Sequence, residues 1–99
     1  MSVVLHPEAV AEARAARDWY ADRSSLAAAA FLAELDAALD HVSRAPDAWP
    51  SYAGDTRRFL LRRFPFFVVY RQVPHQNIQI LAVAHGRRRP GYWRHRTGR

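Results

Sequence analysis

The spacing of hydrophobic residues changes once along this chain, near its middle. Before residue 46 apolar side chains recur with the period of amphipathic helices. After residue 56 they follow the alternation and short apolar runs of strands. The pattern therefore predicts a helical first part and a sheet-forming second part, preceded by a short apolar strand over Ser2–Leu5.

Two helices are predicted in the first part. Pro7 suits the first helical position, and the acids Glu8 and Glu12 suit the positive end of a helix dipole. A serine pair, Ser24–Ser25, ends the first helix and caps the second, which runs to Arg44–Pro46. So short a connection predicts an antiparallel helix hairpin, with Trp19 and Tyr20 as part of its core.

Three strands are predicted in the second part, over Arg57–Arg63, Phe66–Arg71 and Ile78–Ala84. Their short connections indicate an antiparallel meander. The predicted fold class is α+β, with the order βααβββ and the helix hairpin on one face of a small, mainly antiparallel sheet. The other face is expected to stay open and basic beside a tail, residues 85–99, with one helical turn near residues 90–94.

Formal charge is divided sharply between the two parts. All nine acidic residues lie at or before Asp55 with four arginines, giving −5, whereas eleven arginines and no acid follow, giving +11. Such a field attracts an anionic partner. The candidates are nucleic acid, a nucleic-acid machine or an acidic protein segment; the alternative is a solvated surface in an arginine-biased protein, since every basic residue is Arg.

Length and composition indicate one globular domain over residues 1–99, with 49% hydrophobic residues. The absence of Cys excludes disulfides and fits a reducing compartment. No apolar run reaches the length of a membrane span, and the N-terminus lacks the pattern of a signal peptide. We therefore expect a cytoplasmic protein that does not contact membranes.

The segment from His85 to Trp93 is the first candidate for chemistry. Arg87, Arg88 and Arg89 offer bidentate donors to phosphate, and the Tyr92–Trp93 pair can stack on bases or fill a protein pocket. In RNA cleavage, His85 and Tyr92 would move protons while Arg87 or Arg88 neutralised the phosphate. The alternative is that the two aromatic residues cover a sheet edge and the arginines are solvated.

A second candidate is the arginine-rich first strand of the meander. Strand alternation would place Arg58 and Arg62 on one face, and Arg57 and Arg63 on the other. They could grip phosphate or carboxylate, or discourage pairing at the sheet edge. The histidines are too scattered for a metal site, and the chain has no glycine-rich phosphate loop. We therefore predict neither a metal nor a cofactor.

A series of short motifs resembles the RelE/ParE toxin superfamily over about residues 3–93. The motifs, in order, are Trp19-Tyr20, Phe31-Leu32, Trp49-Pro50, Arg57-Arg58, Phe64-Pro65-Phe66, Val69-Tyr70 and Ile80 to Arg88. The resemblance implies the βααβββ fold and the toxin half of a bacterial type II toxin–antitoxin module, of the kind also described as plasmid stabilisation proteins. It also implies a cognate antitoxin with an acidic, amphipathic segment.

The superfamily contains RelE-like nucleases of ribosome-bound mRNA and ParE-like inhibitors of DNA gyrase. Arg58 and Tyr92 match the RelE pattern, but Leu60 and Phe67 stand where that pattern has cations. Gly86 stands at a further arginine position, which Arg87 or Arg88 could fill with a small shift.

The ParE-like reading is therefore favoured, with gyrase bound through Arg58, His85, Arg87, Arg88, Arg89, Tyr92 and Trp93. The antitoxin would contact Arg57, Arg58, Arg62, Arg87, Arg88 and Arg89. Two alternatives remain open. One is an mRNA endonuclease acting at the ribosome through Arg58, His85, Arg87, Arg88 and Tyr92. The other is a non-toxic binding module.

Overall fold

The computed structural model describes residues 2–97, apart from the side chain of Gln76. The elements are β1 (Ser2–Leu5), α1 (Pro7–Ala21), α2 (Ser25–Arg44), β2 (Arg57–Leu60), β3 (Phe66–Val73) and β4 (Asn77–His85). Two short 3₁₀ turns cover Pro74–Gln76 and Arg94–Arg96. The predicted βααβββ order and α+β class are confirmed, while the last two residues of the predicted tail lie outside the described part.

Local signals position both helices. The His6 side chain accepts a hydrogen bond from the backbone N–H of Glu8 at 3.1 Å, and Pro7 follows it in the first turn of α1. Ser24 caps α2 by accepting from the backbone N–H of Ala27 at 3.2 Å. Only three residues separate the helices, so they form the predicted hairpin.

The sheet has the strand order β1-β4-β3-β2. β1 pairs with β4 in parallel, and the other two pairs are antiparallel. The parallel pairing ends where Leu5 meets Ile80. Directly beyond it Leu81 is an extra residue in β4, because Tyr70 pairs with Ile80 and Val69 with Ala82.

The main core lies between the helix hairpin and one face of the sheet. Aromatic rings fill its end near the β2–β3 turn, where the ring of Phe31 lies 5.5 Å from those of Tyr20 and Phe64. Tyr70 is fully buried and donates its hydroxyl to the Pro46 carbonyl at 2.7 Å. Burial raises the pKa of Tyr70 to about 12.

A second core covers the opposite face of the sheet, so the prediction that this face stays open is wrong. Phe67, Val69 and Leu81 point away from the hairpin and are buried beneath Trp93 and Tyr52, whose rings stack at 5.3 Å. Because β3 and β4 carry apolar residues on both faces, both faces require a cover. The tail and the loop before β2 provide the second one.

Two predicted boundaries are also wrong. β2 ends at Leu60, so Arg62 and Arg63 lie in a turn and the alternation expected for them does not apply. Glu34 holds this turn by accepting hydrogen bonds from the backbone N–H groups of both arginines. The helical turn of the tail covers Arg94–Arg96, later than predicted. Within residues 2–97 no helix is both long enough and apolar enough to cross a membrane.

Candidate functional site

A cavity of about 420 Å³ lies between α1, the start of β3 and the segment after β4. Its walls are mostly apolar, and the half-exposed indole of Trp19 stands at its edge. Trp19 is 53% exposed, so the prediction that it belongs to the hairpin core is wrong. The lining residues are Glu12, Ala15, Ala16, Trp19, Tyr20, Pro65, Phe66, Val83, His85, Arg88 and Tyr92.

Tyr92 forms one wall of this cavity, and its phenol is hydrogen-bonded within the protein. Its hydroxyl donates to Glu12 Oε2 at 2.6 Å. Burial, together with this hydrogen bond and the negative charge of Glu12, raises the pKa of Tyr92 well above its ordinary value. The guanidinium of Arg88 lies 3.9 Å from the centre of the Tyr92 ring, which is a cation–π contact.

Glu12 also binds Arg96, which the sequence analysis did not single out. Two guanidinium nitrogens of Arg96 donate to the two Glu12 oxygens at 2.9 and 3.1 Å. The Arg96 side chain is 5% exposed and that of Glu12 is 17% exposed. Glu8 adds contacts of 3.6 Å to Arg96 and 3.1 Å to His95. The tail is therefore anchored on α1 and is not a free basic extension.

His85 stands at the end of β4, where its side chain is half-buried. The Nδ1 atom accepts a hydrogen bond from the backbone N–H of Arg87 at 3.0 Å, and the ring meets the Phe66 ring edge-on at 5.1 Å. With Nδ1 acting as an acceptor, the proton of the neutral imidazole lies on Nε2. Neither ring nitrogen then offers a free lone pair to a substrate hydroxyl.

The three arginines after β4 are exposed, and only Arg88 reaches the cavity. Arg87, Arg88 and Arg89 make no ion pair with any side chain of residues 2–97. Gly91 makes the turn that follows them at φ 87°, a conformation that side chains rarely adopt. Their charge is therefore available to a partner.

The other predicted target contacts do not join this cluster. Arg58 does not line the cavity; its guanidinium lies 4.3 Å from the centre of the Tyr52 ring, beside the second core. Trp93 is only 1% exposed and belongs to that core, so the prediction of Trp93 as a surface contact is wrong. Only His85, Arg88 and Tyr92 of the predicted set meet at the cavity.

The arginines predicted to meet the antitoxin also occupy different settings. Arg57 is half-buried and donates to the Trp49 carbonyl at 2.6 Å, which anchors the loop before β2. Arg62 is exposed in the turn after β2, whereas Arg63 forms a 3.0 Å ion pair with Glu34. Arg62 and the three arginines after β4 remain accessible to an acidic partner.

Glu12, Trp19 and Arg96 are the residues of this region that sequence reasoning missed. Glu8 and Glu12 are four residues apart on one face of α1, a spacing that is equally typical of acids that support a helix terminus. The described part of the chain contains no group of three or more side chains that could hold a metal ion. The site is an apolar cavity with Arg88 at its rim.

Comparison with known proteins agrees with this fold. A family model for the ParE toxin of type II toxin–antitoxin systems, parDE, matches residues 3–90. Among solved structures, the chromosomal ParDE toxin–antitoxin system from P. aeruginosa is similar in fold. The TM-score is 0.63 and the sequence identity 24%, over 86% of this chain and 95% of that chain. The comparison with curated proteins finds no match. Because the family model spans most of its length, the chain belongs to the ParE toxin family of type II toxin–antitoxin systems.

Proposed function

We propose that this toxin binds DNA gyrase and inhibits it without catalysing a reaction of its own, and that a cognate antitoxin neutralises it. Family membership supports the toxin role. The cavity supports a binding role, because its apolar walls can hold one side chain of a partner while Arg88 at the rim meets an acidic group. Protein interfaces commonly take their affinity from such anchors.

The state of the two candidate proton-transfer groups favours binding over RNA cleavage, and this observation carries the proposal. The Tyr92 hydroxyl donates a hydrogen bond to Glu12, and the Nδ1 atom of His85 accepts one from the backbone N–H of Arg87. A general acid or base must instead reach the reacting atoms of its substrate. Two further positions that carry cations in the nuclease pattern hold Leu60 and Phe67, and Phe67 is buried.

Supercoiling of relaxed plasmid by purified gyrase tests the proposal. Increasing amounts of the wild-type toxin should abolish supercoiling. Arg88→Gln should raise the half-inhibitory concentration by about tenfold, the effect of losing roughly 1.4 kcal/mol at an interface. Arg44→Gln is the matched control, since Arg44 is an exposed arginine of α2 paired with Asp40, and it should inhibit like wild type. Normal supercoiling at a large excess of wild-type toxin would refute gyrase as the target.

Primer extension on a translated message separates the nuclease alternative. We expect messages to stay intact after the toxin is induced. Codon-linked cuts that disappear in a His85→Ala, Tyr92→Phe double variant would instead favour cleavage.

Normal colony formation by cells making soluble, folded toxin without antitoxin would favour a non-toxic binding module over both gyrase inhibition and RNA cleavage.

The antitoxin is proposed to be an acidic segment that folds on the toxin. The hairpin presents exposed apolar side chains to such a segment, with Leu26 at 81% exposure and Leu32 at 38%. The carboxylates of the antitoxin would contact Arg62, Arg87, Arg88 and Arg89, with smaller contributions from Arg57 and Arg58. A short acidic protein encoded in an adjoining reading frame, and purified in complex with this chain, would establish the partner.

A further inference from the structure

One edge of β4 runs past the end of its neighbouring strand. β1 pairs with β4 only as far as Ile80, and His6 adds one more backbone hydrogen bond to the Ile80 carbonyl at 2.9 Å. Beyond this point Leu81 and Val83 lie in β4 with no β1 residue beside them. Their polar backbone groups are buried and require partners from elsewhere.

A pair of charged side chains supplies those partners. Glu12 Oε1 accepts from the Val83 N–H at 3.0 Å, and Arg96 donates to the Leu81 carbonyl at 3.0 Å. The two side chains bind each other at 2.9 Å. The ion pair thus takes the place that the next residues of β1 would occupy. It joins three separate segments, namely α1, the edge of β4 and the tail.

This ion pair is buried under the cavity wall. The Tyr92 hydroxyl shares the Glu12 carboxylate with Arg96, and Arg88 in turn rests on the Tyr92 ring. The positions of Tyr92 and Arg88 therefore depend on the carboxylate of Glu12, which is itself mostly buried. Arg96 does not line the cavity; its guanidinium binds Glu12 and the Leu81 carbonyl instead.

We propose that Glu12, through its ion pair with Arg96, is the positioning residue of the target-binding site. It fixes residues 87–97 of the tail on α1 and on the edge of β4, and so positions Arg88 and Tyr92. The effect on the target rests on the proposed function, whereas the ordering of the tail does not. A buried guanidinium needs a charged partner, and Glu12 at 2.9 Å is the nearer of the two carboxylates that contact Arg96, since Glu8 lies at 3.6 Å.

Glu12→Gln tests this directly, because it keeps the shape of the side chain and removes its charge. Amide hydrogen exchange measured by NMR should accelerate by about tenfold or more at Tyr92, Arg94 and Arg96, whose N–H groups are bonded within the tail. The same variant should raise the half-inhibitory concentration against gyrase by about tenfold.

Glu34→Gln is the matched control. Glu34 is also a mostly buried carboxylate of the hairpin that binds backbone N–H groups and an arginine, but it does not line the cavity. It should leave both the exchange of the tail and the inhibition of gyrase unchanged. An exchange rate of the tail that is the same in Glu12→Gln as in wild type would overturn the proposal.

A double variant separates positioning from general stability. Glu12→Gln, Arg96→Met removes the buried charge that Glu12→Gln leaves without its nearest partner, so it should regain much of the thermal midpoint lost in Glu12→Gln. Inhibition should stay weak, because the Glu12–Arg96 ion pair no longer holds the tail. If inhibition returned together with stability, Glu12 would be a structural residue only. If wild-type toxin failed to inhibit gyrase, the proposed function would be wrong, and the exchange measurement alone would still decide whether Glu12 fixes the tail.

Discussion

Two carboxylates of the helix hairpin each bind the backbone of the sheet layer. Glu12 of α1 accepts from the N–H of Val83, and Glu34 of α2 accepts from those of Arg62 and Arg63. Each also binds an arginine side chain. Such charge-assisted hydrogen bonds are stronger than neutral ones and have a defined direction. Acidic residues that would suit a solvated helix face therefore fix tertiary structure in this protein.

The contribution of Glu34 should depend on pH. Burial acts to raise the pKa of Glu34, but the hydrogen bonds from Arg63 and Arg62 outweigh it and lower that pKa below its ordinary value. A lowered pKa means stability that is fully present above about pH 4.3, the unfolded value, and is lost as pH falls through the folded value. Glu34→Gln should cost about 1–3 kcal/mol of unfolding free energy at neutral pH and much less near pH 3. Urea denaturation at both values measures this, and a cost independent of pH would contradict it.

Trp93 should contribute to stability through packing. Its indole is fully enclosed in the second core against Tyr52 and Phe67, so Trp93→Ala leaves a large cavity and should cost about 3–5 kcal/mol. Trp19→Ala is the control for loss of an indole at a half-exposed site, where we expect about 1 kcal/mol or less. Chemical denaturation compares the two, and equal losses would mean that the tail does not enclose Trp93 in solution.

Secondary-structure elements were predictable where their signals are local. The serine pair Ser24–Ser25 and the apolar periodicity of both helices predicted the hairpin. The composition of the strands predicted all four of them. The end of β2 was not, because Glu34 holds the following turn from 28 residues away. The anchoring of the tail was not predictable for the same reason, since Glu12 and Arg96 are 84 residues apart. Of the candidate site, the sequence indicated His85, Arg88 and Tyr92 but neither the carboxylate nor the indole that completes the cavity.

The start of α2 provides a test of local specification. Ser24 caps the helix through its side chain, so Ser24→Ala should cost about 1 kcal/mol by leaving the N–H of Ala27 without its partner. Ser25 is the first residue of the helix, and Ser25→Ala should change the free energy of unfolding by only a few tenths of that. Denaturation midpoints of the two variants compare the same chemical change at adjacent positions. A greater loss at Ser25 would show that the helix begins elsewhere.

For the whole molecule, folding reduces the charge separation but does not remove it. Arg63, Arg71 and Arg96 of the basic half pair with acids of the first half, at Glu34, Asp55 and the Glu8–Glu12 pair. Arg87, Arg88 and Arg89 have no such partner within residues 2–97 and are exposed, with Arg88 at the cavity. A cluster of positive charge therefore remains beside the cavity, where we propose that a partner docks.

This concentration of charge predicts how the antitoxin associates with the toxin. Electrostatic attraction mainly raises the association rate, while apolar anchors set the dissociation rate. The Debye length falls from about 10 Å at 0.1 M salt to about 3 Å at 1 M, so association should slow by more than tenfold over that range while dissociation changes little. Stopped-flow binding of the cognate antitoxin across a salt series measures both rates.

The Arg88→Gln, Arg89→Gln double variant tests whether these two arginines produce the electrostatic attraction of the antitoxin. It removes two of the exposed charges beside the cavity while leaving the apolar surface of the hairpin intact, so its association rate should be lower at low salt and should depend less on salt. At high salt the variant and the wild type should converge, since the lost charges are already screened. Arg44→Gln again serves as the control and should retain the wild-type salt dependence, because Arg44 is already paired with Asp40 on α2. If wild-type association were insensitive to salt, the arginines would be solvated surface residues, and recognition of the antitoxin would rest on the apolar anchors alone.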